Sequence, residues 1–210
     1  VMEHFLDHAG AYVAPSARIS ERACVEGKVI LGENVRVLEN AVVRGPAYIG
    51  PNSIIGNNAL VRDYTHIGSN SVIGYCTEVK HSYIGDNCWF HSNYVGDSII
   101  DDDCSLGAGT VLANFRLDEG NISVKVGDSP VDTGYDKLGA MMGRGCRVGI
   151  NASLMPGVRV GADCFVGPHV CLRDDLPPHK MVLAESRLQV TDNNTPLDAG
   201  RRKELLDRLQ

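Results

Sequence analysis

Aliphatic side chains recur along the chain at a constant interval of six. Val13, Ile19, Val25, Leu31, Val37, Val43, Ile49, Ile55, Val61, Ile67, Ile73 and Val79 form one unbroken run. Four places after each comes a small or short residue, as at Ala17, Ala41, Ala47, Ser53, Ala59, Thr65 and Ser71. Asn stands three places after at Asn34, Asn40, Asn52, Asn58 and Asn70, and Gly follows directly at Gly32, Gly50, Gly56, Gly68 and Gly74. A helix repeats every ~3.6 residues and a half-buried strand every ~2, so neither accommodates this spacing. A coil of three short strands does, with one hexad to a side. The aliphatic points inward, the small residue sits beside it, and Asn, which tolerates positive φ, turns the corner.

The rhythm resumes, with some shorter steps, at Ile84, Phe90, Val95, Ile100, Leu106 and Leu112. It stops at Asn114 and returns at Met142, Val148, Leu154, Val160, Val166 and Leu172. Twelve, six and six hexads make twenty-four, or about eight coils of three, stacked as parallel strands over roughly 35–40 Å. The expected fold is therefore all-β, a single-stranded parallel β-helix of hexapeptide repeats. Cys88, Cys104, Cys146 and Cys164 fall at the small-residue position and read as apolar fillers. Residues 115–141 make a loop too long to be a corner, and such loops are usually functional or disordered.

Toward the end of the chain, Thr195 as N-cap, Pro196 at the first helical position and Asp198 near the positive dipole end predict a short helix. Leu205, Leu206 and Leu209 would form its apolar edge, packed on the prism or on a neighbouring subunit. The expected organisation is a lead-in over 1–12, a β-helix domain over 13–177 with its inserted loop 115–141, and a C-terminal extension with the helix over 178–210.

Charge narrows the possible partners. With 26 acidic and 20 basic residues the net charge is -6, which opposes a nucleic-acid surface yet leaves room for a local cationic pocket. No run of 18 apolar residues occurs, so no membrane span is expected. The opening VMEHFLDHAG lacks the basic-then-apolar layout of a signal peptide, and Val1 ahead of Met2 is expected of an added expression remnant or of a chain cut from a longer one. The seven cysteines form no C-x-x-C pair and no secreted framework, so reduced thiols and a cytoplasmic setting are expected.

The rhythm fails in one region. The intervals Val79 to Ile84, Phe90 to Val95 and Val95 to Ile100 shorten to five. A shortened side pulls the surface inward, and Lys80, His81, His91, Tyr94 and Asp97 are the side chains expected to be thrown outward there. In the strict region residues eighteen apart stack, which puts Arg44, Arg62 and Lys80 in one column. Like charges ~5 Å apart cost of order 1 kcal/mol per pair unless an anion separates them. A phosphate clamp and a solvated basic ladder both fit that column. His91 is a suitable base for an amine nucleophile at neutral pH, and a Gly-flanked backbone N–H such as that of Ala108 suits a tetrahedral oxyanion. The plainer reading of His91 is an exposed polar residue on a coil face. His66 and His81 read as surface histidines.

KHSYIGDNCWFHSNYVGDS, then DDDCSLGAGTVLANFRLDE, then KLGAMMGRGCRVGINASLMPGVRVG resemble a known family. It is the acetyltransferase half of the bifunctional glucosamine-1-phosphate acetyltransferase/N-acetylglucosamine-1-phosphate uridylyltransferases, in particular their archaeal sugar-phosphate versions. The similarity covers roughly Val43 to Asp174 and rests on the H-x-x-Y-x-G-D, L-G-A-G-T and A-N strings in that order. It implies a left-handed coil and a homotrimer with each site between adjacent prisms. It implies His91 as general base and Asn114 beside the amine and acetyl group. Arg62, Lys80, Tyr94 and Lys137 would hold the sugar phosphate, with Ser105 where many relatives carry an Asn beside the amino sugar. Gly107, Ala108 and Arg173 would contact acetyl-CoA, the co-substrate, with no metal. No Gly-rich nucleotide loop precedes the repeats, so a nucleotidylyltransferase domain is expected to be separate or removed.

Two other readings remain open. A zinc carbonic anhydrase on this fold would need three converging histidines, for which only His66, His81 and His91 are available, with no close pair. A non-catalytic trimerisation or regulatory module of a sugar-phosphate nucleotidylyltransferase is the other. Gly120, Asn121 and Ser123 stand where the archaeal relatives tend to carry lysines, which favours that second reading.

Overall fold

Each of the twenty-four repeating aliphatics lies in a short strand, and the strands assemble into three parallel sheets. The computed structural model describes residues 10–127, 129–196, 198 and 200–209. Residues 1–9 of the expected lead-in lie outside the described residues. The architecture is an all-β, left-handed parallel solenoid of about nine turns, with one short helix among the described residues.

Successive strands go to successive faces, so every third strand pairs. On the first face Leu31, Ile49, Ile67, Ile84, Ile100, Met142 and Val160 stack in register. On the second, Val37, Ile55, Ile73, Phe90, Leu106, Val148 and Val166 do so. Val43, Val61, Val79, Val95, Leu112, Leu154 and Leu172 line the third. These columns fill the prism as one apolar core, each fully buried aliphatic contributing roughly 1.5–3 kcal/mol relative to exposure. The four cysteines at the small position are buried beside them, and all seven thiols are unpaired.

The corners behave as their residue types require. Asn34, Asn40, Asn52, Asn58 and Asn70 have φ of 57°, 58°, 60°, 57° and 55°. Asn34 donates to Asn52 at 3.1 Å and Asn52 to Asn70 at 3.3 Å, a side-chain ladder along one edge.

Three expectations need correction. The second face carries nine strands, because Met181–Val182 pairs with Phe165–Val166 beyond the last counted hexad. The helix spans Arg201–Leu209, not a start at Thr195. Gly200, which would cost ~1 kcal/mol inside a helix, instead precedes its first turn, with its N–H donating to Asp198 Oδ1 at 2.8 Å. Leu205 and Leu206 are exposed at 49% and 59%, so this edge is not packed on the prism. The Leu209 side chain lies outside the described residues.

The long loop carries structure of its own. Ser123–Val126 and Ser129–Asp132 form an antiparallel hairpin, and Phe115 bridges Lys137 where the loop leaves and returns. Ile122 is buried at 2% and packs toward Gly157, which ties the loop to the coils above. Among the described residues no helix is long and apolar enough to cross a membrane.

Candidate active site

The three shortened intervals fall at the two corners that bound the third face. His81 and Asp97 each turn a third-to-first corner with a single left-handed residue, at φ 48° and 47°. Losing one residue brings consecutive corners directly over one another, and Asp97 N–H donates to Lys80 C=O at 2.9 Å. The loop closes from above, with Gly139 N–H donating to Asp97 C=O at 2.7 Å and Leu138 N–H to Asn114 C=O at 3.0 Å.

The side chains at this corner converge inward. Lys80 Nζ lies 2.9 Å from Asp97 Oδ2 and 3.2 Å from Oδ1. His81 Nδ1 is 3.0 Å from Asp97 Oδ1, and the Asn114 amide donates to Asp97 Oδ2. Tyr94 Oη donates to Asn114 Oδ1 at 3.4 Å. Gly96 is needed here, since a Cβ would sit 2.7 Å from both Asn114 Nδ2 and Tyr94 Oη. Burial alone would raise the Asp97 carboxyl, but hydrogen bonds from Lys80, Asn114 and His81 outweigh it and hold it below the usual aspartate value. Lys80 and Asp97 are thus not thrown outward. Each satisfies the other in a place poor in solvent.

The cation column is likewise interleaved with carboxylates. Arg44 pairs with Glu26 at 2.7 Å and Arg62 with Glu78 at 3.1 Å, one coil below the Lys80–Asp97 pair. Like charges therefore do not face one another unrelieved. The Arg62–Glu78 pair is over a third exposed and exchanges with solvent at little cost.

At the other edge of the same face stands His91, exposed, in the second-to-third corner. Register places it between Gly74 on the coil below and Gly107 on the coil above. A Cβ at Gly74 would collide with the carbonyl oxygens of Phe90 and His91, so the imidazole rises from a column of glycines. Its backbone is fixed at both ends. Asn93 Oδ1 accepts from His91 N–H at 2.8 Å, and Thr77 Oγ1 donates to His91 C=O at 2.7 Å. Asn93, only 6% exposed, also donates to the carbonyls of Gly107 at 2.7 Å and Thr110 at 3.2 Å. It clamps the histidine corner to the Gly107–Ala108 turn. Sequence reading passed over Asn93, although a polar Asn at a place the rhythm turns inward was a usable signal.

The structure brings Lys80 and Asn114 into contact through Asp97, adds Tyr94 through Asn114, and sets Arg62 directly beneath Lys80. His91 and this group stand at opposite ends of strand Tyr94–Gly96, ~10 Å apart at the usual rise. Gly107 and Ala108 lie one coil above His91. Ser105 faces outward on the second face between Trp89 and Arg147, away from Tyr94. Arg173 sits in the Lys80 column four coils up, ~19 Å away. Lys137 is exposed at the loop's return, its Nζ 5.8 Å from the Phe115 ring centroid.

Two histidines read as surface residues are half-buried and have partners. His81 belongs to the Asp97 cluster. His66 stacks between Tyr48 at 4.8 Å and Tyr83 at 4.6 Å, and its Nδ1 donates to Ile84 C=O at 3.2 Å. Burial pushes its imidazole below the ordinary histidine value, partly offset by that carbonyl. Within one chain His66, His81 and His91 occupy different faces or corners and do not converge.

The repeats, corners and stacked faces together define a parallel β-helix built on six-residue repeats. The family model described as bacterial transferase hexapeptide (six repeats) matches residues 28–63, 46–81 and 139–174. Over about half of its length the chain resembles the C-terminal half of bifunctional sugar-phosphate enzymes. It is 41% identical over 100 residues to the bifunctional sugar-1-phosphate nucleotidylyltransferase/acetyltransferase of Sulfurisphaera tokodaii, covering 47% of this chain and 25% of that one. It is 37% identical over 113 residues to the bifunctional protein GlmU of Methanocaldococcus jannaschii, covering 53% and 28%. The chain thus spans about a quarter of the length of these relatives. Among solved structures, LpxA of Bacteroides fragilis, a UDP-N-acetylglucosamine acyltransferase, has a TM-score of 0.56 at 16% identity, covering 81% of this chain and 70% of that one. That likeness is one of fold.

Proposed function

We propose that the chain is an acetyl-CoA-dependent N-acetyltransferase acting on an amino-sugar 1-phosphate of the glucosamine-1-phosphate type, in nucleotide-sugar synthesis. It works in the cytoplasm as a homotrimer whose sites lie between adjacent prisms. The observation that carries this reading is the third face itself. An exposed imidazole on a hydrogen-bonded backbone marks one edge, and the Lys80–Asn114–Tyr94 group marks the other, a span suited to a sugar lying across the strand. The activity for which the relatives are named, acetyl transfer joined to sugar-phosphate chemistry, supports the same class.

In this reading the substrate amine attacks the thioester carbonyl of acetyl-CoA. His91 takes the proton that the amine loses as the C–N bond forms. The oxyanion is received by backbone N–H at the Gly107–Ala108 turn, which Asn93 holds against the histidine corner. Collapse breaks the C–S bond, and the His91 imidazolium returns its proton to the departing thiolate. Arg62, Lys80, Tyr94 and Lys137 hold the sugar phosphate, Ser105 and Asn114 contact the amino sugar, and Arg173 contacts acetyl-CoA.

One observation favours a second reading, a non-catalytic trimerisation or regulatory module. Glu78 and Asp97 already neutralise Arg62 and Lys80. Thiol release from acetyl-CoA with glucosamine-1-phosphate decides between them. Turnover by the purified chain is expected. None with any amino-sugar phosphate would leave the module.

A further inference from the structure

We infer that Asp97 is the positioning residue of this site, setting where Lys80 and Asn114 present themselves to the sugar-phosphate, an inference that rests on the acetyltransferase reading above. Asp97 is the rigid member of the cluster. Its N–H is bound to the coil below and its C=O to the returning loop, and its side chain is 8% exposed. Lys80, by contrast, carries its charge on a flexible four-carbon stem, which gains a defined position only from a partner.

The geometry specifies what each neighbour can still offer. Two of the three Lys80 N–H directions go to the two Asp97 oxygens, leaving one for a ligand oxygen. A carboxylate accepts only, so it draws the Asn114 NH2 toward itself and turns Asn114 Oδ1 to the Tyr94 side. The amide therefore presents an acceptor to the third face, which suits an amine or hydroxyl donor on an amino sugar. Without the negative charge, nothing selects that amide orientation and Lys80 is released toward solvent or Glu78.

Asp97→Asn tests this, because Asn occupies φ 47° readily and keeps the side-chain shape. With glucosamine-1-phosphate and acetyl-CoA, the KM for the sugar phosphate is expected to rise at least roughly tenfold while the KM for acetyl-CoA stays unchanged. Asp97→Glu, which keeps the charge, should recover part of the loss. Lys80→Met and the double variant K80M/D97N complete the cycle, and the double variant removes both charges together, so it folds even where Asp97→Asn alone does not. Its sugar-phosphate KM is expected to exceed that of Lys80→Met only by the part of the Asp97 factor that acts through Asn114. An active wild type with unchanged KM in Asp97→Asn, or a double variant worse than Lys80→Met by the full Asp97 factor, overturns the inference and leaves the acetyltransferase reading standing. A wild type without turnover removes both.

Discussion

Asp97 Oδ2 lies 2.9 Å from Lys80 Nζ, with the carboxylate side chain 8% and the lysine side chain 17% exposed. An ion pair this poorly hydrated makes each partner dependent on the other. Lys80→Met alone should destabilise the fold by roughly 3–5 kcal/mol, because Asp97 is left charged and partly unpaired. K80M/D97N should cost clearly less. Urea unfolding of the two variants side by side measures the difference, and equal losses would refute the coupling.

The same pair sets an acid limit. The Asp97 carboxyl is held below its unfolded value, so it adds stability that is present above about pH 4 and lost as pH falls through the folded value. Melting temperature measured from pH 6 downward should drop less steeply in Asp97→Asn than in the wild type. Parallel curves would show that the carboxylate carries no such linkage.

His91→Ala should abolish most acyl transfer without touching the fold. Its ring is exposed, and the corner is held by Asn93 and Thr77 through its backbone. The expected loss in kcat is about 10²–10⁴, with circular dichroism and melting point unchanged. A wild-type rate in the variant would remove the histidine from the mechanism.

Asn52 carries both a left-handed corner, at φ 60°, and two rungs of the Asn ladder. Asn52→Ala should cost about 1–2 kcal/mol from the positive φ, beyond the lost side-chain bonds. Asn52→Gly tolerates the angle and should lose less. Thermal unfolding ranks the two, and the reverse order would show that the corner angle is not what the Asn supplies.

Thiol chemistry reports the prism directly. Cys24, Cys76 and Cys171 are exposed, while Cys88, Cys104, Cys146 and Cys164 are buried. An aromatic disulfide reagent should titrate three thiols quickly in the native protein and the other four only on unfolding. Fast reaction of more than three would mean that the column is open.

What the sequence determined unaided is the solenoid. Its information there is local and periodic: an aliphatic such as Ile55 or Leu106 every sixth place leaves no other arrangement able to bury them all, and Asn at a corner states its own backbone angle. The interruption near His91 was legible for the same reason, as a fault in a regular signal. Tertiary structure alone decided what that fault contains. Lys80, Asp97 and Asn114 are separated by a full turn each and meet only because two shortened corners stack. A linear reading sees Arg62 and Lys80 as unrelieved cations, since Glu78 and Asp97 become their partners through coil-to-coil register. The clamp made by Asn93, the stack around His66 and the helix beginning at Arg201 belong to the same category, because each depends on neighbours or competing turns that spacing does not encode.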